Sequence, residues 1–138
     1  MSEVKVENKN ARGFAGLVNN MLAPLNENEK FKEKFRHKHV KILINAVNVN
    51  FAALIIIDYG KLNVEGIPNK PKENLRKKNV GWDGFLEIDT QTFLAFVMNR
   101  ISLFGIAKKW IIRKIRLRGI NKLLHLLKLF KILIKNNK

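Results

Sequence analysis

A run of alternating side chains between residues 40 and 65 constrains the fold most strongly. From Val40 onward, apolar residues at every second position predict a β-strand with one buried face. The segment FAALIII, residues 51–57, is apolar at every position, which predicts an inner strand or a strand that faces a cavity. Asp58-Tyr59-Gly60 predicts a tight turn into a third strand over 61–65. Together these segments predict an antiparallel meander.

Helical spacing precedes this meander. Apolar residues from Phe14 to Leu25 recur at steps of three and four, which predicts an amphipathic helix that Pro24 ends or kinks. A second, short helix is expected to begin at Asn26, whose side chain would cap it, with Glu29 three positions later.

In the second half of the chain, the spacing of apolar residues changes several times between the period of a strand and that of a helix. Gly119 is expected to end the last strand, because glycine weakens and interrupts regular strands. The predicted elements are a long exposed loop over 67–84, a fourth strand over 84–89, a helix capped by Asp89 or Thr90, a fifth strand over 110–118 and a last helix over 120–135.

Length and charge bound the class of protein. The 138 residues predict a single domain, residues 1–138, with a core over about 20–134. The net charge is +16, and residues 90–138 contain no acidic side chain. Such a positive pole attracts nucleic acid, anionic lipid or acidic partners without choosing among them. The chain lacks cysteine, and its apolar runs are shorter than the roughly 20 residues that span a bilayer, so a cytoplasmic location is expected.

The sequence offers little for catalysis. His37 and His39 lie in a basic run, where a solvated role is expected. His125 lies among leucines and lysines of the last helix and is expected to be an ordinary helix-surface histidine. No spacing typical of metal ligands occurs, and no cofactor is predicted. The expectation is a protein that is not an enzyme.

The last helix has more apolar surface than one sheet face usually covers. Its leucines, isoleucines and phenylalanine spread beyond the stripe of roughly 100° that a surface helix buries. Such a helix lines a ligand cavity, lies in a bilayer interface, packs on another subunit, or is simply buried in the core. The basic face of the fifth strand lacks interleaved aromatic residues, so specific nucleic-acid binding is not expected.

Four segments resemble, in order, the sterol carrier protein 2 family of small lipid-binding domains. They are LNENEKFKEKF at 25–35, IIIDYGKLNVEG at 55–66, GFLEIDTQTFLAFV at 84–97 and RKIRLRGINKLLHLLKLF at 113–130. The resemblance implies an α+β fold in which helices cover one side of a five-stranded, mostly antiparallel sheet. It also implies an apolar tunnel that holds sterols, fatty acids or acyl-CoA. The chain differs from the family at Arg113, where a glycine is common, and its end KNNK lacks the peroxisomal tripeptide of some members.

This resemblance implies non-enzymatic binding and transfer of an apolar ligand. The expected tunnel-lining residues are Phe93, Phe96, Val97, Ile101, Phe104, Leu123, Leu126, Leu127 and Phe130. The expected contacts to a ligand head group or an anionic membrane are Arg113, Arg116, Arg118, Lys122 and Lys128. The alternatives are a peripheral membrane or protein-partner module that uses the C-terminal helix, and nonspecific nucleic-acid binding. The sequence leaves the oligomeric state and the identity of the lipid open.

Overall fold

The computed structural model describes residues 13–46, 50–97 and 116–136. The expectations for Ile101, Phe104 and Arg113 lie outside these ranges. The side chains of Phe96, Val97 and Leu123 also lie outside the described part, although their backbone is helical.

The described ranges form a mixed α+β fold. The helices are α1 (Gly13–Leu22), α2 (Glu29–Lys34), α3 (Lys77–Val80), α4 (Thr90–Val97) and α5 (Ile120–Asn136), with 3-10 turns at Ala23–Glu27 and Lys72–Leu75. The strands are β1 (His39–Ala46), β2 (Phe51–Asp58), β3 (Lys61–Pro68), β4 (Gly84–Ile88) and β5 (Arg116–Arg118). They form one sheet in the order β3-β2-β1-β4-β5. The pair β1 and β4 is parallel and the other pairs are antiparallel, which confirms the prediction of a five-stranded, mostly antiparallel sheet.

The turn between β2 and β3 has the predicted tight geometry. Tyr59 and Gly60 both have positive φ angles, of 52° and 85°. Two consecutive residues of this kind match the right-handed twist of a hairpin. Asp58 pairs with Lys61 directly at the turn, so the register of the meander is set here.

One face of the sheet is covered by helices. Every second residue of the inner strands, such as Ile42, Ile44 and Ile55, is fully buried on this face. We call the buried apolar side chains between the helices and this face the helix-side layer. The helices contribute Phe14, Ala15, Val18, Leu22, Phe31, Phe93, Leu126, Leu129, Phe130 and Ile132 to it.

The opposite face is covered in part by residues 69–83, which we call the cover segment. Leu75 and Trp82 of this segment are buried against Leu43 and Leu54 of the sheet. Nε1 of Trp82 donates a hydrogen bond to the Leu75 carbonyl at 2.8 Å, which closes the segment on itself. The prediction of an exposed loop is therefore wrong for these two side chains, because their apolar surface packs on the sheet.

The cap of the second helix is also displaced from its predicted position. The side chain of Asn28, not Asn26, accepts a hydrogen bond from the backbone N–H of Phe31 at 2.9 Å. Asn26 instead binds the backbone of β3, where its amide donates to the Leu62 carbonyl and accepts from the Leu62 N–H. The two asparagines are two residues apart, and only the tertiary contact with β3 distinguishes them.

Replacement of Gly119 by alanine is expected to destabilise the fold by about 3 kcal/mol. The energetic cost of a left-handed backbone at a non-glycine residue and the cost of a steric clash both contribute. Gly119 has a φ of +66°, and a Cβ atom there would overlap with the Asp83 carbonyl oxygen. The matched control is Gly13→Ala, since Gly13 has a φ of +56° with nothing within 4 Å of the added atom. The free energy of unfolding in urea measures both. Equal losses for the two variants would contradict the close contact with Asp83.

Candidate functional site

The helix-side layer contains the described residues that the sequence predicts to line a tunnel. Phe93 of α4 packs edge-on against Phe14, with ring centroids 5.3 Å apart, and against Phe130 of α5 at 6.0 Å. Leu126 is buried in the same layer. Edge-to-face pairs of this kind fix ring orientations beyond what burial alone does. The three predicted residues Phe93, Leu126 and Phe130 are therefore together between α4, α5 and the sheet.

Leu127 differs from these three residues because it is only half-buried. It lies on α5 next to Leu126, between the buried and the exposed faces of the helix. Its side chain is therefore reachable from outside the layer. The assignment of these four residues to ligand binding stays a prediction.

The predicted cationic contacts fall into two groups. Lys122 and Lys128 are exposed on α5, which covers the helix side. Arg116 and Arg118 are exposed on β5, opposite Glu87 and Phe85 of β4. Both of these β4 residues face the cover segment. The lysines therefore lie on the helix side of the sheet and the arginines on the opposite side.

A groove lies between the cover segment and the β4–β5 edge, with a volume of about 970 Å³. We call it the basic groove. Its described lining consists of five basic residues, two acidic residues and four apolar residues. They are Lys72, Arg76, Lys77, Arg116, Arg118, Glu73, Glu87, Leu75, Trp82, Phe85 and Leu117.

A buried polar network meets this groove at Glu87 and Arg116. Glu87 accepts a hydrogen bond from the Asn45 side-chain amide at 2.8 Å, and Asn45 in turn accepts one from Asn69 at 2.9 Å. The other carboxylate oxygen of Glu87 lies 3.5 Å from Nε of Arg116. Because the Glu87 side chain is 9% exposed and that of Arg116 is 70% exposed, the network anchors an otherwise solvated guanidinium.

His125 is the described histidine with an altered titration. Burial lowers the pKa of its imidazole below the ordinary value of 6.5, and the positive charges of Lys128, Lys38 and Lys122 lower it further. Its ring meets the ring of Phe35 edge-on at 5.8 Å. Within the described ranges, its buried Nδ1 has no hydrogen-bond partner. The Nδ1 side of the ring therefore packs in an apolar environment, while the residue as a whole is half-buried on α5.

Among the residues that the structure describes, no group of three or more histidine, aspartate or glutamate side chains is placed to bind a metal ion. No described helix has both the length and the apolar composition that crossing a bilayer requires.

Comparison with solved structures identifies the class of fold. The UbiJ-SCP2 ubiquinone synthesis protein aligns with a TM-score of 0.56 at 9% identity, over 89% of each chain. The conserved hypothetical protein TT1886 of Thermus thermophilus, described as a candidate sterol carrier protein, aligns with a TM-score of 0.56 at 12% identity. That alignment covers 91% of this chain and 87% of TT1886. The chain therefore has the sterol-carrier-like fold, as its sequence segments indicated.

A third similar structure is part of a much larger enzyme. The stereoselective inverting sec-alkylsulfatase Pisa1 from Pseudomonas sp. aligns with a TM-score of 0.52 at 14% identity over 72% of this chain. The aligned part is only 14% of the sulfatase chain. No family model and no curated protein sequence matches the chain.

Sequence reasoning missed most of the basic groove. The sequence predicts an exposed loop that contains Lys72, Arg76 and Lys77, and it indicates no role for Trp82 and Phe85. The local pattern that does indicate part of the groove is the alternation of Arg116, Leu117 and Arg118. In a strand this alternation places both guanidinium groups on one face. The basic loop lies over that face only because it crosses the sheet.

The buried carboxylate of Glu87 is expected to stabilise the fold. Glu87→Ala should lower the free energy of unfolding by about 1 to 3 kcal/mol, because the amide of Asn45 loses its acceptor in a buried place. Glu87→Gln is the matched control, since its amide oxygen can still accept this bond, and its loss should be smaller. Urea unfolding of both variants measures the difference. An alanine variant as stable as the wild type would show that the network adds nothing.

Stability should depend on the protonation of His125. Because the folded pKa is lowered, the unfolded chain binds the proton more readily. The free energy of unfolding should therefore fall as the pH drops through 6.5 and level off below the folded pKa. His125→Gln should remove this part of the pH dependence, measured by urea unfolding between pH 7.5 and pH 5, about the range in which imidazole titrates. His37 and His39 are present in both proteins, so an unchanged slope in the variant would refute the assignment to His125.

Proposed function

We propose that the protein binds and transfers an apolar ligand, a fatty acid, an acyl-CoA or a sterol-like lipid, in the helix-side layer. The observation that carries this proposal is the sterol-carrier-like fold, which aligns along nearly the whole chain with two proteins whose names refer to sterol carriers. The apolar layer between α4, α5 and the sheet is the region in which such a ligand would be shielded from water.

The hydrophobic effect alone is sufficient for useful affinity. Transfer of about ten methylenes from water contributes roughly 8 kcal/mol, at about 0.8 kcal/mol for each group. The costs of association reduce this figure, and the remainder is compatible with micromolar binding. The proposal therefore requires no catalytic residue, and we propose a carrier that is not an enzyme.

The polar end of the ligand has suitable neighbours on the helix side. Lys122 and Lys128 are exposed on α5, the helix that contributes Leu126, Leu129 and Phe130 to the layer. Their ammonium groups can attract a carboxylate, a phosphate or an anionic membrane surface. We therefore assign head-group or membrane contact to these lysines, and a lipid exchange step at a membrane fits this arrangement.

A specific observation favours a second candidate function, docking of α5 on a membrane or a partner. Leu124 of this helix is 49% exposed, although most of the other described leucines are buried or half-buried. Exposed Lys128 and Lys131 follow on the same helix. A helix with exposed apolar and basic side chains binds anionic lipid interfaces.

Two leucines of α5 separate the two functions. Leu127→Gln should weaken binding of a fluorescent fatty acid by about 10-fold, because loss of the apolar surface of this half-buried side chain costs about 1.4 kcal/mol of contact with the ligand. Leu124→Gln is the matched control on the exposed side of the same helix and should leave fatty-acid binding unchanged. Titration of delipidated protein, with folding checked by circular dichroism, measures both affinities.

The opposite pattern would support docking. If Leu124→Gln reduced sedimentation with anionic vesicles and the delipidated wild type bound no fatty acid, the carrier proposal would fail and α5 would be a docking helix. Native mass spectrometry of the purified protein, followed by organic extraction, would identify any ligand that it retains.

A further inference from the structure

The basic groove has an excess of positive charge in a confined place. Its described lining contains five basic and two acidic residues, a formal excess of three positive charges. Glu87 is already used by Asn45 and Arg116. The carboxylates present therefore leave a positive potential in the groove, which attracts an anion of more than one charge.

The two walls of the groove are held in place before any ligand binds. The cover segment is fixed through Trp82, whose Nε1 bonds to the Leu75 carbonyl and whose ring lies 5.6 Å from Nζ of Lys77. At the end of the segment, the backbone N–H of Asp83 donates a hydrogen bond to the Lys41 carbonyl at 2.7 Å. The Asp83 carboxylate accepts a second one from the backbone N–H of Lys41 at 2.9 Å. Such preorganisation reduces the entropic cost of binding.

The opposite wall is a strand of the sheet. Arg116 and Arg118 are two residues apart on β5 and are paired with Glu87 and Phe85 of β4. Residues at this spacing project from the same face of a strand. Arg76 and Lys72 lie across the groove on the cover segment. Cationic side chains thus line the groove from two sides, which fits a compact group with several acceptor oxygens.

Phosphate is the anion that this chemistry fits best. Guanidinium groups bind phosphate oxygens through paired, charge-assisted hydrogen bonds, and lysines add point charges. The half-buried side chain of Phe85 offers an apolar surface for the remainder of the ligand. A volume of about 970 Å³ is within the usual range of pockets for small molecules.

We infer that the basic groove is a binding site for a phosphate-bearing small molecule, separate from the helix-side layer. Arg76 and Arg118 hold the phosphate from opposite walls, and Phe85 lies under the less polar part. A nucleic-acid strand fits less well, because Trp82 is only 9% exposed and cannot serve as a stacking platform for bases. The sheet lies between the groove and the helix-side layer, so this inference does not depend on the proposed lipid binding.

The test uses pyrophosphate as the probe and isothermal titration calorimetry as the measurement. The double variant Arg76→Gln with Arg118→Gln should bind pyrophosphate about 100-fold more weakly, since each charged hydrogen-bonding group contributes about 10-fold. The matched control is Arg36→Gln with Lys34→Gln, which removes the same charge from exposed residues on the helix side. It should bind pyrophosphate like the wild type. The unfolding curves of both variants establish that the fold is kept.

A second arm distinguishes the source of the phosphate. Sedimentation with phosphatidylcholine vesicles, with and without phosphatidic acid, tests a lipid head group. Vesicle binding that needs phosphatidic acid and is lost only in the Arg76 and Arg118 variant would support the site and assign the phosphate to a lipid. No binding of either probe, or equal losses in the two double variants, would overturn the inference and leave an ordinary solvated basic surface. Groove-dependent binding of a single-stranded oligonucleotide that is tighter than that of pyrophosphate would also overturn it.

Discussion

The parallel pairing of β1 with β4 determines how the rest of the molecule is arranged. β1 is the central strand, and β3 runs parallel to it because each is antiparallel to β2. β4 also runs parallel to β1, so the chain must return across a face of the sheet between the end of β3 and the start of β4. The cover segment is this return. Its apolar residues Leu75 and Trp82 are buried because they cross the strands at Leu43 and Leu54.

The sheet consequently has two faces with different chemistry. On the helix side, Ile42 and Ile44 meet apolar and aromatic side chains, and burial of this kind supplies most of the stabilisation of a small domain. On the other side, Asn45 and Glu87 form a buried polar pair at the edge of a basic groove. A low local dielectric strengthens this pair, so it helps to specify the position of the β4–β5 edge.

Much of the fold can be predicted from local periodicity, but the site depends on long-range contacts. The alternation from Val40 onward and the positive-φ turn at Gly60 are local signals, and they determine the meander correctly. The cap at Asn28 and the contact of Asn26 with Leu62 cannot be separated locally, because both residues are good caps. The basic groove forms only when the cover segment crosses the sheet and β5 pairs with β4. Sequence alone shows that Arg116 and Arg118 share a face, but not what lies opposite.

The β4–β5 edge connects the two proposed sites. On β4, Leu86 packs into the helix-side layer whereas its neighbour Glu87 faces the basic groove. On β5, Leu117 packs against the helix-side layer and lies between the two arginines of the groove. A ligand on either face would therefore order the same short strand, which is paired along three residues. Energetic coupling between two sites requires an element that both ligands affect, and it is reciprocal in affinity. In the described part of the chain, β5 meets this requirement because its alternate side chains belong to opposite faces.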